Sequence, residues 1–243
     1  IVAAARQLNL TTCQTVATGN SVKIGVIDGG IGFYHAALEN KALSGYDFID
    51  DDNIAYDEPG GTISGHGTFV AGVLHLVAPM ASLVSYRIID EEGRGDGFSL
   101  ARAIEQAVDD GCQILNISLV LTHEHLAVEE AIAYAVSQGV VVVGAAGNES
   151  HSTPIYPAAD PNVISVAAVD TSLQLTEFSN FGTTIDICAP GLSVYSSYQN
   201  ELYGWWSGTS FAVPFVAGEA ALIKQLAPSL TPSEIADLIQ STA

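Results

Sequence analysis

Short apolar runs rich in β-branched residues alternate along this chain with stretches of helical periodicity. Five runs are predicted to be strands, at 22–27, 82–88, 113–117, 140–144 and 163–169. Their nearly continuous apolarity indicates that several strands are buried on both faces. Helical spacing occurs at 69–76, 99–110, 126–137 and 212–225, and the sequence Thr231-Pro232-Ser233-Glu234 predicts a last helix that runs towards Gln240. The alternation predicts an α/β fold, a parallel sheet wound by helices.

Composition bounds the size and the partners of this fold. The chain has 243 residues and 48% apolar content, which suits one large domain, and residues 1–243 are assigned to it. Seven Lys and Arg against 27 Asp and Glu give a formal charge of −20. Such a charge repels a phosphate backbone and an anionic bilayer, so nucleic-acid and membrane-surface roles are disfavoured. Acidic residues cluster between Asp47 and Glu58, and we interpret this segment as a solvated loop.

The three cysteines cannot all pair within one chain. Cys112 and Cys188 lie in apolar runs and are interpreted as small core residues, whereas no role follows for Cys13. None has the spacing of a metal site. The N-terminus lacks a signal-peptide pattern and no long apolar run occurs, so the chain is interpreted as either a processed product or an excised domain.

Two polar side chains lie at the ends of predicted core elements. Asp28 ends the first predicted strand and precedes Gly29 and Gly30, which allow a sharp backbone turn. His66 lies between two glycines at the start of an apolar helix, a setting that the other histidines lack. A buried carboxylate at Asp28 can orient an imidazole and stabilise its protonated form. A capping role for Asp28 and a structural role for His66 remain the alternatives.

A hydroxyl and an amide occur at two further element ends. Ser210 follows Gly208-Thr209 where a helix is predicted to begin, and the N–H groups of a helix N-terminus favour developing negative charge. Asn148 follows the predicted strand 140–144, where its amide can donate to the oxyanion of a tetrahedral intermediate, with the backbone N–H of Ser210 as second donor. A plain helix cap and a common turn are the respective alternatives. An acid, a base and a hydroxyl in this order favour nucleophilic catalysis.

Four motifs together resemble a known family. They are Asp28-Gly29-Gly30, His66-Gly67-Thr68-Phe69-Val70-Ala71-Gly72, Ala145-Ala146-Gly147-Asn148 and Gly208-Thr209-Ser210-Phe211-Ala212. In this order the chain resembles the subtilisin-like serine proteases, the subtilases, from about residue 22 to its end. The resemblance implies that Asp28 orients His66, that His66 acts as general base and then acid, that Ser210 attacks, that Asn148 stabilises the oxyanion and that Thr209 supports the nucleophile. It also implies a three-layer α/β fold of about seven mostly parallel strands with helices on both faces.

A peptide-binding cleft is also implied by the resemblance. An extended substrate pairs with two backbone segments by strand addition, namely Gly93 to Gly97, with Gly95 between them, and Ser118-Leu119-Val120. The primary pocket is walled by residues 118–120 and by Ala145, Ala146, Gly147 and Asn148, with Ile155 near its base. Relatives often have Gly or Ser in place of Ile155, which therefore predicts a shallow apolar pocket that favours Leu or Met over Phe or Tyr. The alternative is that Ile155 points into the core.

Departures from the family pattern bear on cofactors. The chain passes directly from residues 73–76 to 77–79, without the Asn-rich loop that carries the tight calcium site of the family, and that site is predicted to be absent. The resemblance also implies a weaker site for calcium or a monovalent cation, formed by the backbone carbonyls of Ala158, Asp160 and Val163 with the Asp186 carboxylate nearby. An unoccupied acidic turn is the alternative. No cofactor is required for the chemistry. Gly29 and Phe211 replace residues usual in the family but leave the reactive atoms in place, and Val120, which replaces a common Gly, is expected to tilt or narrow its edge of the cleft.

The resemblance leaves three functional readings open. A serine endopeptidase is the first, and a peptide-tailoring enzyme, either a leader peptidase or a macrocyclase that passes the acyl group to an amine, is the second. A catalytically silent binding module is the third. We expect polypeptide substrates, a pro-segment during folding, a monomer and secretion, although unpaired cysteines and a missing calcium site would also suit an intracellular peptidase.

Overall fold

A computed structural model of the chain describes residues 2–242, and its centre is a seven-stranded sheet in which every neighbouring pair of strands is parallel. The strand order is β2-β3-β1-β4-β5-β6-β7. The strands are β1 Lys23–Asp28, β2 Ala42–Asp47, β3 Ser82–Arg87, β4 Ile114–Ile117, β5 Val141–Ala145, β6 Val163–Val169 and β7 Ile187–Pro190. All five predicted strands are present, with ends shifted by at most one residue. Since the strands are parallel, the residues that follow β1, β4 and β5 meet at one edge of the sheet.

Helices cover both faces of the sheet and complete the predicted three-layer α/β fold. On one face lie α3 His66–Val77, α6 Val213–Leu226 and α7 Pro232–Thr242, which share one apolar core with the sheet. On the other face lie α4 Gly97–Asp109 and α5 Leu126–Ser137, which share the second core. Two short helices, α1 Val2–Gln7 and α2 Leu10–Cys13, precede the sheet. Within residues 2–242 no helix is long and apolar enough to cross a membrane.

The last helix begins as its sequence predicts. The backbone N–H and the hydroxyl of Thr231 both donate to the Glu234 carboxylate at 2.8 Å, and the Glu234 N–H donates back to the Thr231 hydroxyl at 3.2 Å. This reciprocal pair satisfies N–H groups that have no partner within the helix. The capping box is therefore confirmed.

A short antiparallel hairpin was not predicted. It consists of β8 Val194–Ser197 and β9 Tyr203–Trp206, and its four-residue strands carry too little periodicity to be recognised in the sequence. The hydroxyls of Ser196 and Ser197 donate to the carbonyls of Phe69 and Thr68 at 2.8 and 2.9 Å. These bonds fix the hairpin against the first turns of α3.

Two expectations about burial are wrong. Cys112 is buried as predicted, but Cys188 is exposed, because β7 is an edge strand and the helices of the second core lie over the middle of the sheet. The acidic segment is not uniformly solvated either, since the side chains of Asp47 and Asp57 are buried. Asp47 pairs at 2.8 Å with Arg87, which lies beside it on β3, and this partner offsets the cost of burying the carboxylate.

Candidate active site

The Asp28 carboxylate holds the ring of His66. Asp28 ends β1 and is only 1% exposed, and His66 is the first residue of α3. Nδ1 of His66 lies 2.8 Å from Oδ1 and 3.0 Å from Oδ2 of Asp28, and the N–H of Gly29 donates to Oδ1 at 2.7 Å. A carboxylate at Nδ1 places the proton there and leaves Nε2 free to accept one. The geometry therefore prepares His66 to act as a base through Nε2.

Opposing effects set the protonation of His66. Burial of the imidazole lowers the pKa of His66, because the charged form loses its hydration. The charge and the hydrogen bond of Asp28 raise it, and the charge of Asp57 raises it further. The pKa of His66 ends above its ordinary value. Both carboxylates thus favour the imidazolium that a base forms when it takes a proton.

Ser210 lies in a 3-10 helix, Thr209–Phe211, immediately before α6, whereas the sequence predicted the helix N-terminus itself. The hydroxyl of Ser118 donates to the carbonyl of Ser210 at 2.8 Å and accepts at 2.9 Å from the amide of Asn116, so β4 fixes the backbone of Ser210. The ring of Phe211 lies 5.2 Å from that of His66. Within residues 2–242 the Ser210 hydroxyl makes no hydrogen bond to His66, and such bonds in free enzymes often tighten only with substrate.

Thr209 orients the amide of Asn148. Oδ1 of Asn148 accepts from the backbone N–H of Thr209 at 2.8 Å and from its hydroxyl at 3.1 Å. The Thr209 hydroxyl also accepts from the N–H of Gly147 at 3.2 Å. With Oδ1 held in this way, the Nδ2 hydrogens of Asn148 remain available as donors. Asn148 itself is exposed, which suits a group that meets a substrate.

A cleft of about 260 Å³ opens beside His66. Its walls bring together most of the two predicted peptide-binding segments, including Gly93, Gly95, Ser118, Leu119 and Val120. Gly97 does not line this cavity, because it begins α4 and packs against the ring of His125. The two backbone segments thus line one cleft together with His66.

The residues predicted to wall the primary pocket line two different cavities, since Ser118, Leu119 and Val120 line the cleft beside His66 whereas Ala146 and Ile155 line another. Ala146 and Ile155 line a cavity of only about 10 Å³, room for about one water molecule. Ile155 is partly exposed and lies at the wall of this cavity. Ala145 belongs to the apolar core behind it, and Gly147 turns the chain with a φ of 98° towards Asn148. A side chain bound here would have to be accommodated against Ile155.

Two of the predicted cation ligands, Asp160 and Asp186, already accept hydrogen bonds from other residues of the chain. Asp160 accepts through Oδ1 from the N–H of Asn162 at 2.8 Å and through its carbonyl from Val163 at 3.0 Å. Asp186 accepts from the N–H of Ser165 at 2.8 Å and from Gln240 at 3.2 Å, while Ala158 is buried. Among the described residues there is no group of three or more His, Cys, Asp and Glu side chains that could hold a metal ion. Of the four predicted ligands, the Asp160 carbonyl and the Asp186 carboxylate thus already accept hydrogen bonds.

The aromatic packing around His66 was not predicted from the sequence. The rings of Phe69, Trp206 and Phe211 form one aromatic cluster with His66, with ring centroids 4.7–5.8 Å apart. The nearest sequence signal was the aromatic run Tyr203-Gly204-Trp205-Trp206 just before the Ser210 motif. Asp57 was assigned to a solvated loop, and no local pattern marked it as a neighbour of α3.

Comparison with known proteins decides the family. The sequence profile of the subtilase family matches residues 19–243, which is most of the chain. The chain belongs to the subtilase family of serine endopeptidases. This subtilase is 36% identical to thermitase from Thermoactinomyces vulgaris over 238 residues, 94% of this chain and 83% of that protein. It is 38% identical to subtilisin NAT from Bacillus subtilis subsp. natto over 93% of this chain, but it spans only 61% of the length of that relative.

Solved structures agree with the family. A cold-adapted subtilisin-like serine proteinase superposes with a TM-score of 0.86 at 31% identity, over 93% of this subtilase and 84% of that chain. A lanthipeptide protease superposes with a TM-score of 0.89 at 25% identity, over 99% of this subtilase and 85% of that chain. The seven-stranded three-layer fold is therefore the fold of subtilisin-like proteases.

Proposed function

We propose that this subtilase hydrolyses peptide bonds through an acyl-enzyme on Ser210. The observation that carries the proposal is the hydrogen-bonded pair of Asp28 and His66 at the cleft, with Phe211, the neighbour of Ser210, against the imidazole. Ser210 Oγ attacks the scissile carbonyl carbon and its proton passes to Nε2 of His66. Asn148 Nδ2 and the backbone N–H of Ser210 donate to the oxyanion that forms.

Three proton transfers complete the reaction. His66 gives its proton to the leaving amine as the C–N bond breaks, which leaves the acyl group on Ser210. Water then attacks the ester, gives a proton to His66 and releases the new carboxyl end while Ser210 regains its proton. Asp28 stays ionised throughout and stabilises the imidazolium.

The substrate is proposed to be an extended polypeptide with a medium apolar residue before the cleaved bond. The cleft between residues 93–95 and 118–120 supports addition of a substrate strand, which folded substrates offer only in loops. Ile155, which is partly exposed, supports discrimination against large rings, because its side chain takes up room at the predicted base of the pocket that Gly or Ser would leave open. Leu or Met, which are flexible, are the preferred residues.

The decisive experiment compares the protein with its Ser210→Ala variant on an unfolded protein substrate. We expect cleavage by the parent and a loss of several orders of magnitude in the variant, because no other group replaces the nucleophile. A fluorophosphonate probe should label Ser210 in the parent. Cleavage that persists in Ser210→Ala would refute the mechanism, and a parent that neither cleaves nor reacts with the probe would be the silent binding module.

A peptide-tailoring activity is the second candidate. The observation that favours it is the fold likeness to a lanthipeptide protease over 99% of this chain. Such an enzyme forms the same acyl-enzyme but cuts at one site of a precursor or passes the acyl group to an amine. Mass spectrometry of the products separates the readings, since hydrolysis adds the mass of water to the peptide and cyclisation does not.

The proposal also covers secretion, a pro-segment, the oligomeric state and cation binding. Secretion, a pro-segment during folding and a monomeric state follow from membership of the subtilase family rather than from a contact in the structure. Calcium or a monovalent cation near Asp186 is proposed to bind weakly, because the site has one carboxylate and both of its oxygens already accept hydrogen bonds. Gel filtration, and refolding with and without a pro-segment in trans, test the monomer and the pro-segment.

A further inference from the structure

Asp57 is a second buried carboxylate near His66. Its side chain is 5% exposed, and Oδ1 accepts from the N–H of Gly65 at 2.8 Å and from the amide of Gln199 at 3.1 Å. Oδ2 accepts from the N–H of Thr68 at 3.2 Å and from the Thr68 hydroxyl. Because that hydroxyl accepts from the N–H of Gly32 at 2.8 Å, its own proton is free to point at Asp57. Burial raises the pKa of the Asp57 carboxyl above its ordinary value, and the hydrogen bonds from Thr68, Gly65 and Gln199 oppose that rise. Every partner of Asp57 is a donor, which is the arrangement that an ionised carboxylate requires.

These bonds make Asp57 the cap of the helix that begins with His66. The residue before α3 is Gly65, which has a φ of 93° and no side chain to cap the helix. An N-cap side chain usually accepts from the second or third N–H of its helix. Asp57 accepts from Thr68, the third residue of α3, and from Gly65 itself. A residue from outside the helix thus fixes the first turn, and its negative charge lies at the positive end of the helix dipole.

Asp57 also joins the segments that surround His66. Through Thr68 it is connected to Gly32, in the loop that follows Asp28. Through Gln199 it is connected to the turn between β8 and β9. The second of these strands, β9, ends at Trp206. The ring of Trp206 lies 5.7 Å from that of His66. One carboxylate therefore ties together the helix, the loop and the hairpin that enclose the base.

We propose that Asp57 is a positioning residue for His66, which fixes the first turn of α3 and, together with Asp28, favours the imidazolium formed during catalysis. Burial lowers the pKa of His66, while the charge and hydrogen bond of Asp28 and then the charge of Asp57 raise it above its ordinary value. Asp28 thus acts on His66 by direct contact, whereas Asp57 acts through its charge and through the turn of α3 that it caps.

The other groups around this pair do not compete for the role. Against His66 pack Trp206 and Phe211, which carry no charge. The cavity of about 180 Å³ beside Asp57 is lined by titratable side chains of Tyr34, His35, Tyr56, Tyr198 and Glu201. In the described part of the chain none of these five forms a hydrogen bond with Asp57.

The test is an NMR titration of His66 in protein labelled with ¹³Cε1-histidine. All samples carry Ser210→Ala, which prevents autolysis, and His66→Gln identifies the signal among the six histidines. Asp57→Asn keeps the size of the side chain and removes its charge, so the midpoint should fall by roughly a few tenths of a pH unit or more. Asp170→Asn is the matched control, because Asp170 also accepts two backbone N–H bonds but lies on another loop. Its midpoint should equal that of the parent.

A second pair of variants tests the charge should Asp57→Asn fail to fold. Gln199 is partly exposed and its amide contacts Oδ1 of Asp57, so Gln199→Lys brings a cation to the carboxylate. The midpoint should fall in Gln199→Lys relative to Gln199→Met, which has no charge. An unchanged midpoint in Asp57→Asn, or in Gln199→Lys where the first variant is unfolded, would overturn the proposal.

The kinetic consequence rests on the proposed protease function. In the active background, Asp57→Asn should lower kcat by roughly threefold to tenfold with little change in KM, because it misplaces the base and not the substrate. The acid limb of kcat/KM should move to lower pH by the same amount as the NMR midpoint. If the parent has no peptidase activity, the proposed function fails while the titration still decides the role of Asp57.

Discussion

Oδ1 of Asn148 accepts two hydrogen bonds from Thr209, one from its backbone N–H at 2.8 Å and one from its hydroxyl at 3.1 Å. The residue before the nucleophile therefore orients the side chain that is proposed to bind the oxyanion. Asn148→Ala should lower kcat by about 10²–10³ with little change in KM, a range for which subtilisin itself is the reference case. Thr209→Val removes the hydroxyl bond to Asn148 and the bond from the Gly147 N–H but keeps the backbone bond to Asn148, and it should cost less. Equal losses of kcat in both variants, measured on a peptide substrate, would contradict this division.

The pH dependence of kcat/KM should report the raised pKa of His66. A raised pKa keeps the imidazole protonated, and so unable to act as a base, to a higher pH than for an ordinary histidine. Activity should therefore rise with pH, with a midpoint above the ordinary value of 6.5. Asp28→Asn should lower kcat by about 10⁴, the loss that is known when the Asp of a serine protease triad is replaced, and subtilisin is one of the enzymes from which that range comes. A midpoint below 6.5 in the parent would show that burial outweighs the carboxylates.

Ile155 is predicted to limit the residue that binds before the cleaved bond. Ile155→Gly should enlarge the cavity that is now about 10 Å³ and raise kcat/KM for Phe and Tyr relative to Leu by roughly tenfold or more, since a methylene in such a pocket is worth about 1–3 kcal/mol. Ile155→Val is the matched control and should change the profile little. Cleavage of a peptide library by the three proteins measures this. A parent that already prefers Tyr would refute the prediction.

The buried pair of Arg87 and Asp47 should matter more to stability than the exposed contact of the same guanidinium. The Arg87 and Asp47 side chains are 3% and 2% exposed, whereas Asp50, also bonded to Arg87, is 61% exposed. Asp47→Ala removes the buried partner of Arg87 and leaves it only the more exposed carboxylates of Asp50 and Glu91, so it should lower the free energy of unfolding by about 3 kcal/mol. Asp50→Ala should lower it by about 1 kcal/mol or less. Urea unfolding of both variants gives the comparison, and equal losses would contradict it.

Calcium should have little effect on thermal stability. The loop that holds the tight calcium site of the family is missing from the sequence, and the carboxylates near the weak site already accept hydrogen bonds. A ligand stabilises a protein only in proportion to the logarithm of its concentration over Kd, so a weak site gives a small effect. Melting curves in EDTA and in millimolar calcium should agree within about 2 °C. A larger increase with calcium, abolished by Asp186→Asn, would establish a functional cation site.

The amino-acid pattern was sufficient for the framework of the sheet. The strands at 22–27 and 163–169 and the helix at 126–137 are predictable because buried parallel strands and helices impose their own periodicity on the residues. The edge strands β2 and β7 were missed, because several of their side chains are exposed at the edges of the sheet and the strands therefore lack a continuous apolar run. The same position explains why Cys188 is exposed despite its apolar surroundings in the sequence.

Asp28, His66, Asn148 and Ser210 could be proposed as site residues from the sequence because each follows or begins a core element within a glycine-rich or otherwise restricted backbone motif. Only the tertiary structure decided that Asp57 caps α3 and that the ring of Trp206 packs against His66. The physical reason is that periodicity and turn residues record local backbone requirements. Hydrogen bonds and packing between distant segments depend on which surfaces the folded chain brings together, and no local pattern encodes them.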